Sequence, residues 1–446
     1  MLTNIARYAK RRLRPPASAQ DQKRGTLVLL AVVSCAVGSL TGFLVAVFRI
    51  ALMRAADWRE EWIARAHGWP VGGLLLTVGA VAGAAACAAW LVGRFSPDAA
   101  GSGIPHVEAV AKGELSPAPL TLLPVKFVGG LLAIGAGLAL GREGPSVQMG
   151  AKIGNYLGKC FGFGRDDCVA LLAAGGGAGL ATAFNAPVAG AVFVLEELIR
   201  CFDMRLAIAS LGASSCAIAI ARIFLGSAAD FRVDALPVSG PGTGLLFLLL
   251  GIAAAVAGMV YIRSIMGALS LTDRLRWPAV WRALVIGALI GALGWLAPSA
   301  LGGGDPLTQQ VFSGANSIFF IAWMFPLRFL LGPLSYTAGT PGGLFAPMLV
   351  LGAQFGSLFA TLCGLVLPHA VPPTPAFAIV GMAAFFTAVV RAPVTGILLI
   401  VELTAGSNQL LPMLWACFPA MAIPTLFKVE PIYDLLRPPS TQRKRI

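Results

Sequence analysis

Long, nearly uncharged apolar runs follow one another along this chain of 446 residues. They cover residues 25–53, 71–93, 120–140, 245–262, 283–297 and 318–331. An α-helix needs roughly 20 apolar residues to cross a bilayer. Only 12% of the residues are charged, against about 25% in a typical soluble protein. Because the short alternating segments of a transmembrane β-barrel are missing from the sequence, we predict an all-α polytopic membrane protein.

Basic residues cluster near both ends of the chain, in RYAKRRLRPP (7–16) and TQRKRI (441–446). Lys and Arg concentrate in cytoplasmic flanks, so both ends are predicted to be cytoplasmic. The apolar run after the first cluster is too long for the core of a signal peptide, which has about 7–15 residues. Such flanks account for much of the formal charge of +13, and no nucleic-acid partner is expected.

Cysteine and histidine give no sign of a metal site. The eight Cys lie in apolar runs without the spacing of metal ligands and are interpreted as small hydrophobic residues. His67, His106 and His369 are the three histidines. We therefore expect neither a metal nor a cofactor, and a transport function rather than an enzymatic one.

The chain contains an internal repeat. LPVKFVGGLLAIGAGLALGREGPSVQMGAKIG (123–154) matches FPLRFLLGPLSYTAGTPGGLFAPMLVLGAQFG (325–356), with Lys126 opposite Arg328. NAPVAGAVFVLE (185–196) then matches RAPVTGILLIVE (391–402), with Glu196 opposite Glu402. Duplicated halves with Gly- and Pro-broken helices are typical of transporters whose site lies where the repeats meet.

The repeat divides the chain into segments. We predict a basic cytoplasmic segment (1–25), a first transmembrane half (26–233), a turn-rich linker (234–244), a second transmembrane half (245–436) and a short basic tail (437–446). The residues alone do not say whether the two halves are inverted, and a duplication kept only for packing is the alternative.

Four short segments interrupt the apolar pattern with glycine, a polar residue and proline: GSGIP (101–105), GREGP (141–145), GGLFAP (342–347) and EPIYDLL (430–436). Each of the first three can begin a helix, whose N-terminus presents unpaired N–H groups and about half a positive charge. Several such ends converging in the membrane predict an anion site. Taken singly, each segment also fits a turn, a kink or, for Tyr433, an interfacial aromatic anchor.

Glu143 lies inside GREGP, where an acid costs about 2.5–3.5 kcal/mol on insertion scales. A salt bridge with Arg142 is one interpretation, but adjacent residues of a helix do not face each other. We favour a carboxylate that occupies the anion site when ionised and leaves it when protonated. It would then compete with the anion and carry a proton.

Glu196 and Glu197 stand at the end of another apolar helix, shortly before Arg200. Glu197 either belongs to a solvated helix end, paired with Arg200 at i,i+3, or forms a proton entrance from the cytoplasm. Both interpretations are open on local grounds.

In this order and spacing, GSGIP, GREGP, GLFAP and PIY, together with TAFNAP (182–187) and RAPVTG (391–396), resemble the CLC family of chloride channels and chloride–proton antiporters. The resemblance extends from about residue 26 to 436. It implies a homodimer with one pore per subunit, built from two inverted halves of discontinuous, tilted helices (the CLC fold). It also implies chloride and protons as transported ions, with other halides or nitrate possible. We expect a compact type in the plasma membrane of a prokaryote, without a C-terminal pair of nucleotide-binding (CBS) domains.

The resemblance also implies roles for individual residues. The anion-binding set is Ser102, Gly103, Ile104, Arg142, Gly144, Leu344, Phe345 and Tyr433. Within it, Ser102 and Tyr433 give hydroxyls to the central anion, Leu344 and Phe345 give backbone N–H groups, and Arg142 and Gly144 give amides near an outer site.

Glu143 is then the gate, and Glu197 is the internal proton glutamate that goes with antiporters. Serine in GSGIP goes with chloride, whereas proline there goes with nitrate. His106 is a departure, since many relatives carry Glu there; the next acid is Glu108.

Three functions are weighed. The first is chloride–proton exchange, the second a passive chloride channel on the same fold, and the third a sodium-coupled solute transporter with inverted repeats. Glu197 favours the first over the second. The bulk of GLFAP argues against the third. The small-residue helix 206–224 is predicted to contribute to a dimer interface, because small residues allow close packing in lipid.

Overall fold

The computed structural model describes residues 19–234, 236, 243–314, 317–367 and 372–437, with side chains from residue 27 onward. Its regular elements are helices. Those of the first half are α1 (Ala19–Ala66), α2 (Pro70–Phe95), α3 (Ile104–Ala111), α4 (Leu122–Gly135), α5 (Glu143–Cys160), α6 (Arg165–Phe184), α7 (Pro187–Phe193) and α8 (Met204–Leu225).

The second half follows the same plan. Its helices are α9 (Gly244–Leu275), α10 (Ala279–Leu296), α11 (Asp305–Phe312), α12 (Ile318–Tyr336), α13 (Phe345–Val366), α14 (Thr374–Val390), α15 (Pro393–Thr404), α16 (Leu410–Leu426) and α17 (Ile432–Leu435). Among the described residues, eight helices are long and apolar enough to cross a membrane. The expected broken helices are present as well, since α3 and α11 have eight residues each and α7 has seven.

Two examples show how the apolar runs differ in length from their helices. The run 120–140 predicts a full span, but α4 has only 14 residues and ends at Gly135. The chain leaves the helix through Gly137, whose φ of 111° is a backbone conformation that favours glycine. The run 25–53 is the apolar part of the 48-residue helix α1. The helix continues through more polar residues to Ala66, and no hydrophobic pattern in the sequence indicates this continuation.

The internal repeat appears in the structure as matched turns. Helices α3 and α11 each begin after a glycine in the left-handed conformation, Gly103 with φ 85° and Gly304 with φ 94°. Each follows a short 3₁₀ turn, Pro97–Ala99 in the first half and Pro298–Ala300 in the second. The duplication seen in the sequence is therefore a duplication of backbone geometry.

The two halves are inverted relative to each other, as α7 and α15 make clear. Glu402, near the C-terminus of α15, accepts hydrogen bonds from two amides at the N-terminus of α7, at 3.0 and 2.8 Å. Glu196, just after α7, accepts from two amides at the N-terminus of α15, at 3.0 and 2.6 Å. Since each helix caps the beginning of the other, the two equivalent helices run antiparallel.

Two buried cations hold equivalent turns in place. The ammonium of Lys126 donates to the carbonyls of Ala99 and Gly101, at 3.0 and 2.8 Å. The guanidinium of Arg328 donates to three carbonyls of the turn before α11, at 2.9, 2.7 and 2.8 Å. Both side chains are at most 2% exposed. The positions matched in the sequence therefore do the same structural work in both halves.

The small residues of helix 206–224 pack inside the chain. A Cβ added to Gly38 or Gly42 of α1 would lie 2.1 Å from the carbonyl of Ala213 or 2.3 Å from that of Ala217, respectively. This close contact uses the small face of α8 against α1. Its outer face carries exposed apolar side chains, among them Leu211.

Three predicted segments fall wholly or mostly outside the described residues. They are the basic segment 1–25 as far as residue 18, most of the linker 234–244, and the tail beyond residue 437. His369 lies outside them too. The segment boundaries remain predictions.

Candidate functional site

Three of the four interrupting segments meet through backbone hydrogen bonds. The amide of Gly101 donates to Thr340 and that of Gly342 donates to Gly101, both at 3.1 Å. Gly141 and Gly343 donate to each other's carbonyls at 2.7 and 2.8 Å. These pairings form two isolated β-bridges. The segments GSGIP, GREGP and GGLFAP therefore converge as predicted, although they come from both halves of the chain.

Glycine is required where the segments touch. A Cβ on Gly144 would lie 2.5 Å from both the carbonyl oxygen and the Oγ of Ser102. A Cβ on Gly103 would lie 2.3 Å from Oε1 of Gln148. Because real Cβ atoms are not found at such distances, larger residues would push the first turns of α3 and α5 apart. The glycines thus allow two helix N-termini to approach each other.

The predicted hydroxyl groups are buried and lack protein partners. Ser102 is 1% exposed and Tyr433 is fully buried. Among the described residues, neither Ser102 Oγ nor Tyr433 Oη has a hydrogen-bond partner. Buried polar atoms are normally hydrogen-bonded, so two unpartnered O–H groups fit the donor set of an anion site. Helix α17 delivers Tyr433, whose phenol interacts electrostatically with the Glu143 carboxyl.

Glu143 is fully buried at the first position of α5. Its Oε2 accepts a hydrogen bond of 3.4 Å from the amide of Ala346, in the first turn of α13, while Oε1 has no partner among the described residues. The carboxylate therefore lies where the N-terminus of another helix attracts negative charge. This geometry agrees with a carboxylate that takes an anion's place. The donor, Ala346, was not predicted as a site residue from the sequence. Its position within GGLFAP was the only sequence feature that pointed to it.

Arg142 points away from Glu143. Its guanidinium donates to Asp305 at 2.8 Å and to Asp230 at 3.3 Å. Arg49 contacts Asp230 at 3.0 Å from the other side. No hydrogen-bonded Arg142–Glu143 pair forms within the described part of the chain, so that interpretation is wrong. Asp230 lies in a loop and Asp305 begins α11, both far from Arg142 in the chain, and sequence reasoning had no signal for them.

Glu197 combines features of its two interpretations. It pairs with Arg200 at 2.9 Å, as the i,i+3 spacing predicted, but it is only 2% exposed and is not solvated. Arg200 also binds Asp434 at 2.8 Å. A cavity of about 430 Å³ is lined by both Glu197 and Glu196. Glu197 is thus a buried acid beside a cavity.

His106 and the next acid, Glu108, each lie beside a charged side chain. His106 Nε2 lies 3.8 Å from Asp98 Oδ1. Glu108 is fully buried and binds Arg437 at 2.6 Å, and Arg437 binds Asp434 at the same distance. These links join α3 to α17. The Glu108–Arg437 link connects residues 329 positions apart, which local sequence patterns do not reveal.

The remaining predicted residues lie in the wall around these groups. Ile104 and Leu344 are fully buried at the beginnings of α3 and α13. Phe345 is buried as well, with its ring centroid 4.4 Å from Phe386 and 5.3 Å from Phe184. This aromatic packing fixes the first turn of α13, and with it the amide that meets Glu143.

Comparison with known proteins bears directly on this arrangement. The family model described as "Voltage gated chloride channel" matches residues 82–425. The chain belongs to the CLC family. A curated CLC relative named H(+)/Cl(-) exchange transporter ClcA, from Vibrio parahaemolyticus, is 36% identical over 416 residues, covering 91% of this chain and 88% of the relative. The protein of that name from Yersinia pestis is 34% identical over 452 residues, covering 94% and 92%.

Solved CLC structures agree with the fold. A slow cyanobacterial Cl⁻/H⁺ antiporter superposes with a TM-score of 0.87 at 34% identity, covering 93% of this chain and 97% of the antiporter. A CLC-type fluoride/proton antiporter, at 24% identity, has a TM-score of 0.78 and supports the fold alone. The chain is therefore an integral, multi-pass membrane protein with the CLC fold of inverted, discontinuous-helix repeats. Membership of this family excludes the sodium-coupled solute transporter.

Proposed function

We propose that this CLC chain exchanges chloride for protons across the inner membrane of a prokaryote. The observation that carries the proposal is the position of Glu143. Its carboxyl group meets the N-terminus of α13 through Ala346, close to the unpartnered hydroxyls of Ser102 and Tyr433. One titratable group therefore lies where both an anion and a proton would have to pass.

Chloride binds by hydrogen bonds and helix ends rather than by a cation. Ser102 and Tyr433 donate their O–H groups, and the amides of Leu344 and Phe345 complete the central site. The amides of Arg142 and Gly144 bind the anion at an outer site. Gly103 and Ile104 lie at the beginning of α3, directly after Ser102. The ammonium of Lys126 is already bound to two carbonyls. A site made of hydroxyl and amide donors holds an anion loosely enough to release it.

Protons reach the site through Glu197. Glu197 is one of the residues that line the cavity beside Arg200, so water in the cavity can bring a proton close to this buried acid. The proton passes from there to Glu143. Once protonated, the Glu143 side chain is neutral and no longer competes with chloride. When it moves away from the N-terminus of α13, chloride can bind there. The shared carboxyl is what links the two fluxes.

A passive chloride channel is the alternative on the same fold. Two features favour exchange over it. The curated relatives at 34–36% identity are named as exchangers, and Glu197 offers a proton route that a channel does not need.

The homodimer expected from the resemblance remains part of the proposal. Since the small face of α8 packs on α1, a partner subunit would meet the outer face of α8. Exposed apolar side chains are available there, including Leu211 and Ile223. Single-molecule subunit counting in liposomes tests this, with one subunit per particle as the contrary outcome.

Replacing Glu143 by glutamine tests the proposed function. The amide cannot take up a proton, so chloride flux should continue while proton movement falls to the background level of protein-free liposomes. Glu402→Gln is the matched control, because Glu402 also binds amides at a helix N-terminus, that of α7. Full proton coupling in Glu143→Gln would rule out the gating role.

A further inference from the structure

A second tyrosine reaches the anion pathway. Tyr336 is the last residue of α12 and was not singled out by any sequence motif. The amide of Ser102 donates to its phenol oxygen at 3.5 Å. A Cβ added to Gly101 would lie 2.9 Å from the same oxygen. The tip of the side chain therefore lies directly against the Gly101–Ser102 peptide.

The phenol proton of Tyr336 has no acceptor among the described residues. A tyrosine hydroxyl can accept and donate at once. Its described hydrogen bond is the one it accepts from Ser102, so its own proton is directed to no acceptor in the described part of the chain. The O–H groups of Ser102 and Tyr433 are in the same condition. Tyr336 and Tyr433 also interact electrostatically, which places the two phenols in one neighbourhood.

Exposure separates Tyr336 from its neighbours. Ser335 and Thr337, on either side, are at most 3% exposed, whereas Tyr336 keeps intermediate exposure. Part of Tyr336 is therefore accessible, unlike its two neighbours in the chain. Helix α12 is the second-half equivalent of α4, so this phenol comes to the site from the half that does not carry Ser102.

We propose that Tyr336 is a further anion-binding residue, which donates its phenol O–H to the anion beside Ser102. The inference rests on the proposed chloride pathway and deepens it. The inner part of that pathway is then lined by two phenols, Tyr433 and Tyr336. Each offers one donor, and the anion satisfies hydroxyls that the protein leaves without acceptors.

The test compares three Tyr→Phe variants in detergent by titration calorimetry with chloride. Tyr336→Phe should weaken chloride binding about tenfold, since it removes one hydrogen bond to a charged group. Tyr433→Phe should weaken it similarly. Tyr261→Phe is the control, because this phenol is also buried and packs against Phe329 and Phe385; its chloride affinity should be unchanged.

A second measurement separates binding from a structural role. Ligand binding raises the melting temperature of the folded state. Tyr336→Phe should melt like the wild type without chloride and show a smaller rise with chloride. The inference is overturned if Tyr336→Phe binds chloride as well as the wild type while Tyr433→Phe does not. It is also overturned if the variant loses stability in chloride-free buffer, since the phenol would then only hold the Ser102 turn. A wild type that binds no chloride would instead contradict the proposed function itself.

Discussion

The two halves of the molecule share a scaffold but not its chemistry. Three pairs of equivalent residues do the same structural work: the buried cations that bind turn carbonyls, the left-handed glycines before short helices, and the carboxylates that cap the opposite helix. They are Lys126 and Arg328, Gly103 and Gly304, and Glu196 and Glu402.

Three other pairs differ. In each pair the residue of the first half is polar and that of the second half is not. The three positions are the residue before the left-handed glycine, the first residue of α5 or α13, and the residue after the capping carboxylate. The pairs are Ser102 and Gly303, Glu143 and Phe345, and Glu197 and Leu403. The duplicated scaffold brings several helix N-termini to one point, while the side chains that differ determine which ions pass. A symmetric frame can thus carry a single, asymmetric pathway.

The largest effect is expected from replacing the buried cations Lys126 and Arg328. The two substitutions test whether residues with the same structural role in the two halves differ in their effect on chloride affinity. Lys126→Met should weaken chloride binding by roughly a hundredfold, because the Ser102 turn loses the charged donor that holds two of its carbonyls, and even one hydrogen bond to a charged group contributes about 1.5–3 kcal/mol. Arg328→Met should leave chloride affinity within about twofold, since its turn carries no anion ligand. Both variants should melt at lower temperature. Equal losses of affinity would break the comparison.

A smaller effect is expected when the first half is made to resemble the second at one position. Ser102→Gly reproduces Gly303 and removes one hydroxyl donor to the anion. Chloride affinity measured by calorimetry should fall about tenfold, as expected for one hydrogen bond to a charged group. Ser96→Gly is the control, because Ser96 is equally buried and its Oγ also lacks a described partner. Unchanged affinity in Ser102→Gly would remove Ser102 from the anion site.

The smallest effect is expected from the two caps. Glu196→Gln and Glu402→Gln each weaken a carboxylate–helix contact worth about 0.3–1 kcal/mol. Only Glu196 adjoins Glu197, so only Glu196→Gln should lower the proton flux per chloride, by about two- to threefold. Parallel measurement of both fluxes in liposomes checks this. The same reduction in Glu402→Gln would show that the caps act through the fold alone.

Much of this arrangement was predictable from local sequence. Apolar runs of membrane length, the glycine–proline interruptions and the match of Lys126 with Arg328 describe single segments or their copies, and these follow from backbone rules for glycine, proline and helix ends. Such signals anticipated the helices beginning at Ile104, Glu143 and Phe345.

Contacts between segments about 200 residues apart were not predictable in the same way. The amide of Ala346 meets Glu143, and the phenol of Tyr336 meets Ser102, only after the inverted halves have packed together. The same holds for Asp305, which binds Arg142 from the second half. No periodicity or spacing within one segment records which side chain of the other half it will face.

The most direct test of the account is proton movement driven by chloride alone. Purified protein is placed in liposomes with a chloride gradient and no proton gradient, and the internal pH is followed. The account predicts uphill proton transport that disappears in Glu197→Gln while chloride flux persists. Chloride flux without any proton movement in the wild type would contradict exchange, make the protein a passive channel and reduce Glu197 to a partner of Arg200.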